Sequence, residues 1–320
     1  MFSVLSFGEV LVDFLPESSA NASYKPLAGG APANVSVAFA KLGGKSFFAG
    51  GVSQDNFGVM LLDKLNHFGV DTSYVKVVEN SNTAVVLVSL DNLGERSFNF
   101  YRHNTADTQY LKPEVEKIDW QAVGVFHYCS NTLTDSAMTE STRMALKKAK
   151  DNQVLISFDV NLRQQLWSNL SQLPMRVDAC LEQSDLVKLS KDEAEYLAQV
   201  KQLTLSEYVD HLQHVNVNLV VITDGPNPIQ LIGRDFNLYV DVPRITALDT
   251  TAAGDSFIAG LIFSITEHAR EHNSTLFTVL NNPKWMTAAA QFGSKCGAFT
   301  CQSKGAFDAL PLLNDLAQLD

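Results

Sequence analysis

The spacing of apolar residues changes repeatedly along this chain, and each change marks an element. Short β-rich runs at 3–7, 46–52, 123–128, 154–160, 185–189 and 219–223 alternate with helical patterns such as 136–150. The run 256–265 is helical as well, because Phe257, Ile258, Leu261, Ile262 and Ile265 recur at helical spacing while Ala259 and Gly260 permit close packing. Alternation of this kind predicts an α/β fold with a mostly parallel sheet covered on both faces by helices. Two stretches, 10–28 and 83–103, break the rhythm. In the second, alternating strands at 83–90 and 97–102 flank the turn Asp91-Asn92-Leu93-Gly94 with no helix between them, which predicts a small β sheet apart from the main one. No repeat or long linker interrupts the pattern, so residues 1–320 read as one domain with an appendage.

Composition narrows the function class. With 320 residues, 46% hydrophobic and 18% charged, the chain is long enough for a large core. No apolar run approaches membrane-spanning length, and the N-terminus lacks the basic flank and cleavage pattern of a signal peptide, so a cytoplasmic location and no membrane contact are expected. The net charge of -11 argues against a nucleic-acid partner, which needs clustered Lys and Arg. Cys129, Cys180, Cys296 and Cys301 contain no CxxC pair and read as reduced thiols, and His268 and His272 lack the partners of a metal site.

The candidate chemistry starts at Asp249-Thr250-Thr251-Ala252-Ala253-Gly254-Asp255, which opens the 256–265 helix. Residues 252–255 sit at a helix N-terminus, where unpaired N–H groups and the positive end of the macrodipole favour an anion, and small side chains let it reach the main chain. Asp255 is the odd residue there. Beside a bound phosphate its carboxylate serves as a base for an attacking hydroxyl; alone, it reads equally as an acid favoured by the dipole. Ala252 would cost about 1 kcal/mol relative to Gly if its φ were positive, whereas a helical or bridge conformation would accept it; the latter is expected.

A second candidate is Gly29-Gly30-Ala31-Pro32-Ala33-Asn34. Two glycines let a polyol lie against bare backbone, and Asn34 in the first helical turn offers a donor and an acceptor to hydroxyls; a plain turn with a cap is the simpler alternative. Arg163 lies just beyond a strand's C-terminal end, where ligands bind in open α/β sheets, and places a permanent charge there, with Asp159 and Asn161 to position it. Tyr101 and Arg102, on the second strand of the small sheet, are candidates to close over a ligand. Gly44-Lys45-Ser46 mimics the end of a P-loop, but the first glycine of that motif falls on Phe39 and the order of elements is reversed.

The 249–255 stretch resembles the C-terminal signature of the ribokinase-like, or PfkB, family of carbohydrate kinases, whose usual form has Gly where Ala252 stands. Gly29 to Asn34 is similar to the family's sugar-binding entry, and Phe158-Asp159-Val160-Asn161-Leu162-Arg163 with Leu166-Trp167 looks like its fructokinase branch. The resemblance implies a ribokinase-like αβα sandwich whose small sheet is a lid over the sugar and often the homodimer contact. It implies ATP-dependent phosphorylation of D-fructose at its 6-hydroxyl, with Asp255 as base, the 252–255 amides on the γ-phosphate and Arg163 balancing charge. Aminoimidazole riboside and 2-keto-3-deoxygluconate kinases are the alternatives, and a sugar-binding regulator without catalysis is another. Asp13 would then accept from sugar hydroxyls, and Thr223 and Gly225 would lie near the nucleotide. Gly297 would flank adenine. Glu193 would contact magnesium through water, although Ser190 stands where the family has Asn, and a capping box explains Ser190 and Glu193 equally. Asp249 and Thr251 would share a potassium ion with the loop containing Cys301.

Overall fold

Side-chain alternation along the strands of a computed structural model, which describes residues 2–18, 21–91, 96–215 and 217–318, sorts the apolar residues into two cores on opposite faces of one sheet. In chain order the strands are β1 (Ser3–Phe7), β2 (Leu11–Pro16), β3 (Tyr24–Gly29), β4 (Lys45–Ala49), β5 (Gly51–Ser53), β6 (Lys76–Val78), β7 (Val85–Leu90), β8 (Arg96–Tyr101), β9 (Val125–Cys129), β10 (Leu155–Asp159), β11 (Leu186–Ser190), β12 (Leu219–Asp224), β13 (Asn227–Gly233) and β14 (Asn237–Val240). The main sheet runs β14-β13-β12-β11-β10-β9-β1-β4, parallel from β4 to β12, with β13 and β14 added as an antiparallel edge.

Val4, Leu155, Leu186 and Leu219 face the helices Ala31–Lys41, Ala253–Glu271 and Pro283–Thr300. Leu5, Ile156 and Val187 face the helices Ser136–Asp151, Leu173–Leu181, Lys191–Val200 and Leu205–His214. Burial on both faces explains why these strands are apolar almost throughout. The expected strand at 46–52 is two strands. At Gly50 a Cβ would lie 2.3 Å from the Gly8 carbonyl oxygen, and past it the chain leaves the main sheet so that β5 pairs with β6.

The second sheet, β3-β2-β7-β8, buries Leu11, Ala84, Val86 and Val88 against Leu15 and Phe100. The turn expected to join its last two strands lies outside the described residues from Asn92 to Gly94. Among the described residues no helix is long and apolar enough to cross a membrane.

Candidate active site

A cavity of about 550 Å³ opens between the second sheet and the C-terminal ends of the parallel strands, the edge at which open α/β sheets bind ligands. Phe98, Phe100, Val86 and Val88 form its roof; Glu9, Asp13, Asn34, Asn131, Asn161, Arg163, Thr250, Thr251, Ala252 and Asp255 contribute its polar wall and floor.

One end is built from main chain. Asp249, buried, accepts from the Thr251 amide at 2.9 Å and from the Gly305 amide at 3.1 Å, while the Leu248 and Asp249 amides both donate to the Cys301 carbonyl. These bonds fasten the turn to the 301–305 loop. Ala252 then adopts φ 59°, a left-handed conformation, and the helix Ala253–Glu271 begins. The expectation of a helical or bridge conformation at Ala252 is therefore corrected. A left-handed residue at the head of a right-handed helix turns successive N–H groups toward one point, an anion-binding arrangement, and here it carries the strain of a Cβ. Ala253 and Gly254 follow as the first helical residues, and Asp255 projects into the cavity from the first turn. Its Oδ2 accepts from Asn34 Nδ2 at 2.7 Å. Burial raises the Asp255 pKa, while the Asn34 hydrogen bond and the charges of Lys188 and Arg163 pull against it.

The other end is built from side chains. Asp13 on β2 has its pKa pushed up to about 7, first by burial and then by the Asp255 charge, against the opposing pull of Arg163. A Cβ on Gly29 would lie 2.2 Å from Asp13 Oδ2, and Gly30, at φ 108°, would place one 2.6 Å from the Glu9 carbonyl oxygen. The two glycines are thus required for Asp13 and the chain before β2 to occupy their places. Asn34 and Asn131 line the cavity, and the Oδ1 of each is buried without a hydrogen-bond partner.

Sequence reasoning missed Lys188. Asp159 and Lys188 are register partners on β10 and β11, so their side chains lie next to each other, with Nζ 3.1 and 3.2 Å from the two Asp159 oxygens. Burial disfavours both charges. Asp159, Glu193 and Asp255 nevertheless raise the Lys188 pKa, while burial raises the Asp159 pKa to about 7 against the pull of Lys188, so the two-oxygen contact favours a charged lysine. A Cβ on Gly254 would lie 3.1 Å from Lys188 Nζ, so the glycine leaves the ammonium room beneath the helix N-terminus. A cation beside the positive end of a helix makes sense where both face an anion. The signal was present in the sequence as a lysine within the otherwise apolar Leu186-Val187-Lys188-Leu189 run. Asp159 therefore holds Lys188 rather than Arg163, whose Nη1 donates to the Leu162 carbonyl.

The remaining expected residues divide. Glu193 forms the capping box with Ser190, and its Oε1 also accepts from the Leu162 amide at 2.6 Å, so it ties the ends of β10 and β11 together. Tyr101 is 62% exposed and lies on the face of β8 opposite Phe98 and Phe100, which are the residues that line the cavity. Arg102 is also corrected as a ligand contact: its side chain is 4% exposed, ion-paired with Asp107 and bonded to the Asn131 carbonyl and Thr134 hydroxyl. Gly297 is buried, and a Cβ there would lie 3.1 Å from the Ala253 carbonyl oxygen, so it lets two helices approach behind the turn. Thr223 and Gly225, at the end of β12, lie outside the cavity lining. Gly225 has φ 52°, as its turn into β13 requires.

Comparison with known proteins gives a match to pfkB family carbohydrate kinase over residues 1–312. The Arabidopsis thaliana protein called Probable fructokinase-7 is 35% identical, covering 99% of this chain and 92% of its own. The crystal structure of a fructokinase with bound ATP from Xylella fastidiosa superposes with a TM-score of 0.92 at 32% identity, covering 99% of this chain and 97% of that one. A Vibrio cholerae fructokinase in fructose-, ADP- and calcium-bound form gives 0.87 at 29% identity, with coverage of 100% and 99%. An aminoimidazole riboside kinase from Salmonella enterica, complexed with aminoimidazole riboside and an ATP analog, gives 0.82 at 26% identity, with coverage of 99% and 99%. This likeness spans the main sheet, the second sheet and the Asp255 turn together: the chain belongs to the pfkB family of carbohydrate kinases.

Proposed function

We propose that this protein is an ATP-dependent fructokinase that transfers the γ-phosphoryl group to the 6-hydroxyl of D-fructose. The observation that carries the reading is Asp255 in the first turn of the helix behind the anion-binding turn, facing the same cavity as Asp13 and bonded to Asn34. Its raised pKa makes it a stronger base for the hydroxyl proton, and Asn34 fixes the carboxylate's orientation. The amides of 252–255 hold the transferring phosphoryl group while Lys188 and Arg163 balance its charge, so positioning and electrostatics carry most of the rate enhancement. Phe98 and Phe100 cover the cavity and exclude water, which limits idle hydrolysis of ATP.

Two observations favour a neutral polyol over a carboxylate sugar such as 2-keto-3-deoxygluconate. Glu9, Asp13 and Asp255 share the cavity with Arg163 as its lining cation, and Arg102 is committed to Asp107.

Magnesium, when bound, would neutralise charge developing on the transferring phosphoryl group, with Glu193 holding it through water. Among the described residues no group of three or more His, Cys, Asp or Glu forms a metal cage, which fits an ion held chiefly by phosphates and water. Glu193 already accepts two amides and fits an outer-shell contact through water. Potassium would lie where the Asp249–Thr251 turn meets the 301–305 loop. Thr223 and Gly225, near the end of β12, would border the nucleotide. The four free cysteines suit the cytoplasm, and the exposed outer face of β8 at Tyr101 would form a homodimer contact.

The deciding experiment measures ADP release with ATP and magnesium across fructose, glucose, ribose, aminoimidazole riboside and 2-keto-3-deoxygluconate. Turnover confined to fructose is the expected result; preference for another member overturns the substrate, and silence across the panel overturns the fructokinase reading in favour of a sugar outside the panel or a non-catalytic binder.

A further inference from the structure

Asn131, just beyond β9, lines the cavity and is 6% exposed. Its Nδ2 donates to Glu9 Oε1 at 2.8 Å, which fixes the amide orientation, because the opposite orientation would set an oxygen against a carboxylate. Oδ1 is left buried and without a partner, a state native structures seldom keep without a use for it. The support behind it is extensive. Arg102 Nη1 donates to the Asn131 carbonyl at 3.1 Å, and Arg102 is itself ion-paired with Asp107, whose Oδ1 accepts from Thr105 at 2.6 Å. Burial raises the Glu9 pKa, and the Arg102 charge and the Asn131 hydrogen bond pull against that rise. Glu9 lies two residues before β2, which opens the second sheet, and Arg102 directly follows β8, which closes it, so the first entry into that sheet and the last exit from it converge on one residue.

We propose that Asn131 is a specificity-determining residue whose Oδ1 accepts a hydrogen bond from a hydroxyl of the sugar, with Glu9 as the positioning residue that holds its side-chain amide and Arg102 as the one that holds its main-chain carbonyl. This rests on the fructokinase reading. A site built to receive a hydroxyl rejects an analogue lacking it, because the acceptor is then buried unpaired. Glu9 carries the orientation: Glu9→Gln can turn an N–H toward Asn131 and release the amide to flip.

The test compares kcat/KM for fructose and its 1-, 3- and 4-deoxy derivatives in the wild type, Asn131→Ala, Asn131→Ser and Glu9→Gln. The wild type should lose about tenfold or more on one of the deoxy sugars. Asn131→Ala should show that loss on fructose itself and no further loss on the same deoxy sugar, with the KM for ATP unchanged. Glu9→Gln should lose part of the discrimination. Full wild-type discrimination in both Asn131 variants overturns the proposal, as does a rise in the KM for ATP that matches the rise for sugar, which marks a structural role. Asn131→Ser, smaller but still polar, gives the same comparison if the alanine variant does not fold. If the wild type accepts a different sugar, the fructokinase reading fails, and the deoxy series of that sugar decides the role of Asn131 separately.

Discussion

The two ends of the cavity use different materials. At the end proposed for phosphate a contiguous main-chain turn, Asp249 to Asp255, presents helix amides, with one buried cation, Lys188, beneath it. At the end proposed for sugar Glu9, Asp13, Asn34, Asn131 and Asn161 arrive from separate segments, each as a single side chain. A phosphate is bound well by generic donors, which a helix N-terminus supplies from consecutive residues. A sugar's hydroxyls differ only in position, so recognising them needs acceptors from several directions. The electrostatics split likewise: positive at one end, carboxylate-rich at the other, with Asp255 between them.

The largest effect should come from Asp255, the residue both ends share. Asp255→Asn is expected to lower kcat by roughly 10² to 10⁴ while sugar and nucleotide still bind. Isothermal titration beside steady-state turnover checks it, and near-normal turnover would remove Asp255 from the mechanism.

Lys188 tests whether the phosphate end needs more than backbone. Lys188→Met alone strands the buried Asp159 and should cost about 3–5 kcal/mol of stability. The double variant Lys188→Met with Asp159→Asn removes that penalty, and its kcat should still fall about 10² to 10³. Wild-type turnover in a stable double variant would show that the pair serves folding alone.

How much of this was legible in the sequence follows from the same contrast. The parallel sheet, the small second sheet and the 249–255 turn could be read because each is local: a period, a break in period, a run of small residues before an apolar helix. Lys188 was hidden because its partner lies 29 positions away and meets it only through the β10–β11 register. Tyr101 was chosen over Phe98 and Phe100 because alternation says which residues share a face of β8 but not which face is covered. Arg102 looked like a free cation until the fold brought Asp107 and the Asn131 carbonyl to it.

The sugar end should declare itself through pH. Asp13, raised to about 7, accepts from hydroxyls most strongly when ionised, so kcat/KM for sugar should fall as pH drops below about 7. Since Asp13 and Asp255 raise or feel each other's charge, the limb belongs to the pair. A pKa raised from 3.8 to about 7 also gives stability that is fully present below pH 3.8 and lost as pH rises through about 7. Asp13→Asn should escape that loss and gain up to about 4 kcal/mol over the wild type at pH 8 relative to pH 4. Thermal melts at the two pH values measure it, and parallel shifts in both proteins would count against a raised Asp13.

The smallest effect concerns the strain at the head of the phosphate turn. Ala252 holds φ 59°, a conformation that costs an L-residue about 1 kcal/mol and a glycine almost nothing. Glycine also has more freedom to lose on folding, which offsets part of the gain. Ala252→Gly should therefore raise the melting temperature by only about 1–2 °C. Because the main-chain path is unchanged, kcat should stay within about twofold, as expected if the amides rather than the side chain act on the phosphate. A large change in kcat without a change in melting temperature would mean that the Ala252 methyl group shapes the turn, and that this end of the cavity depends on a side chain after all.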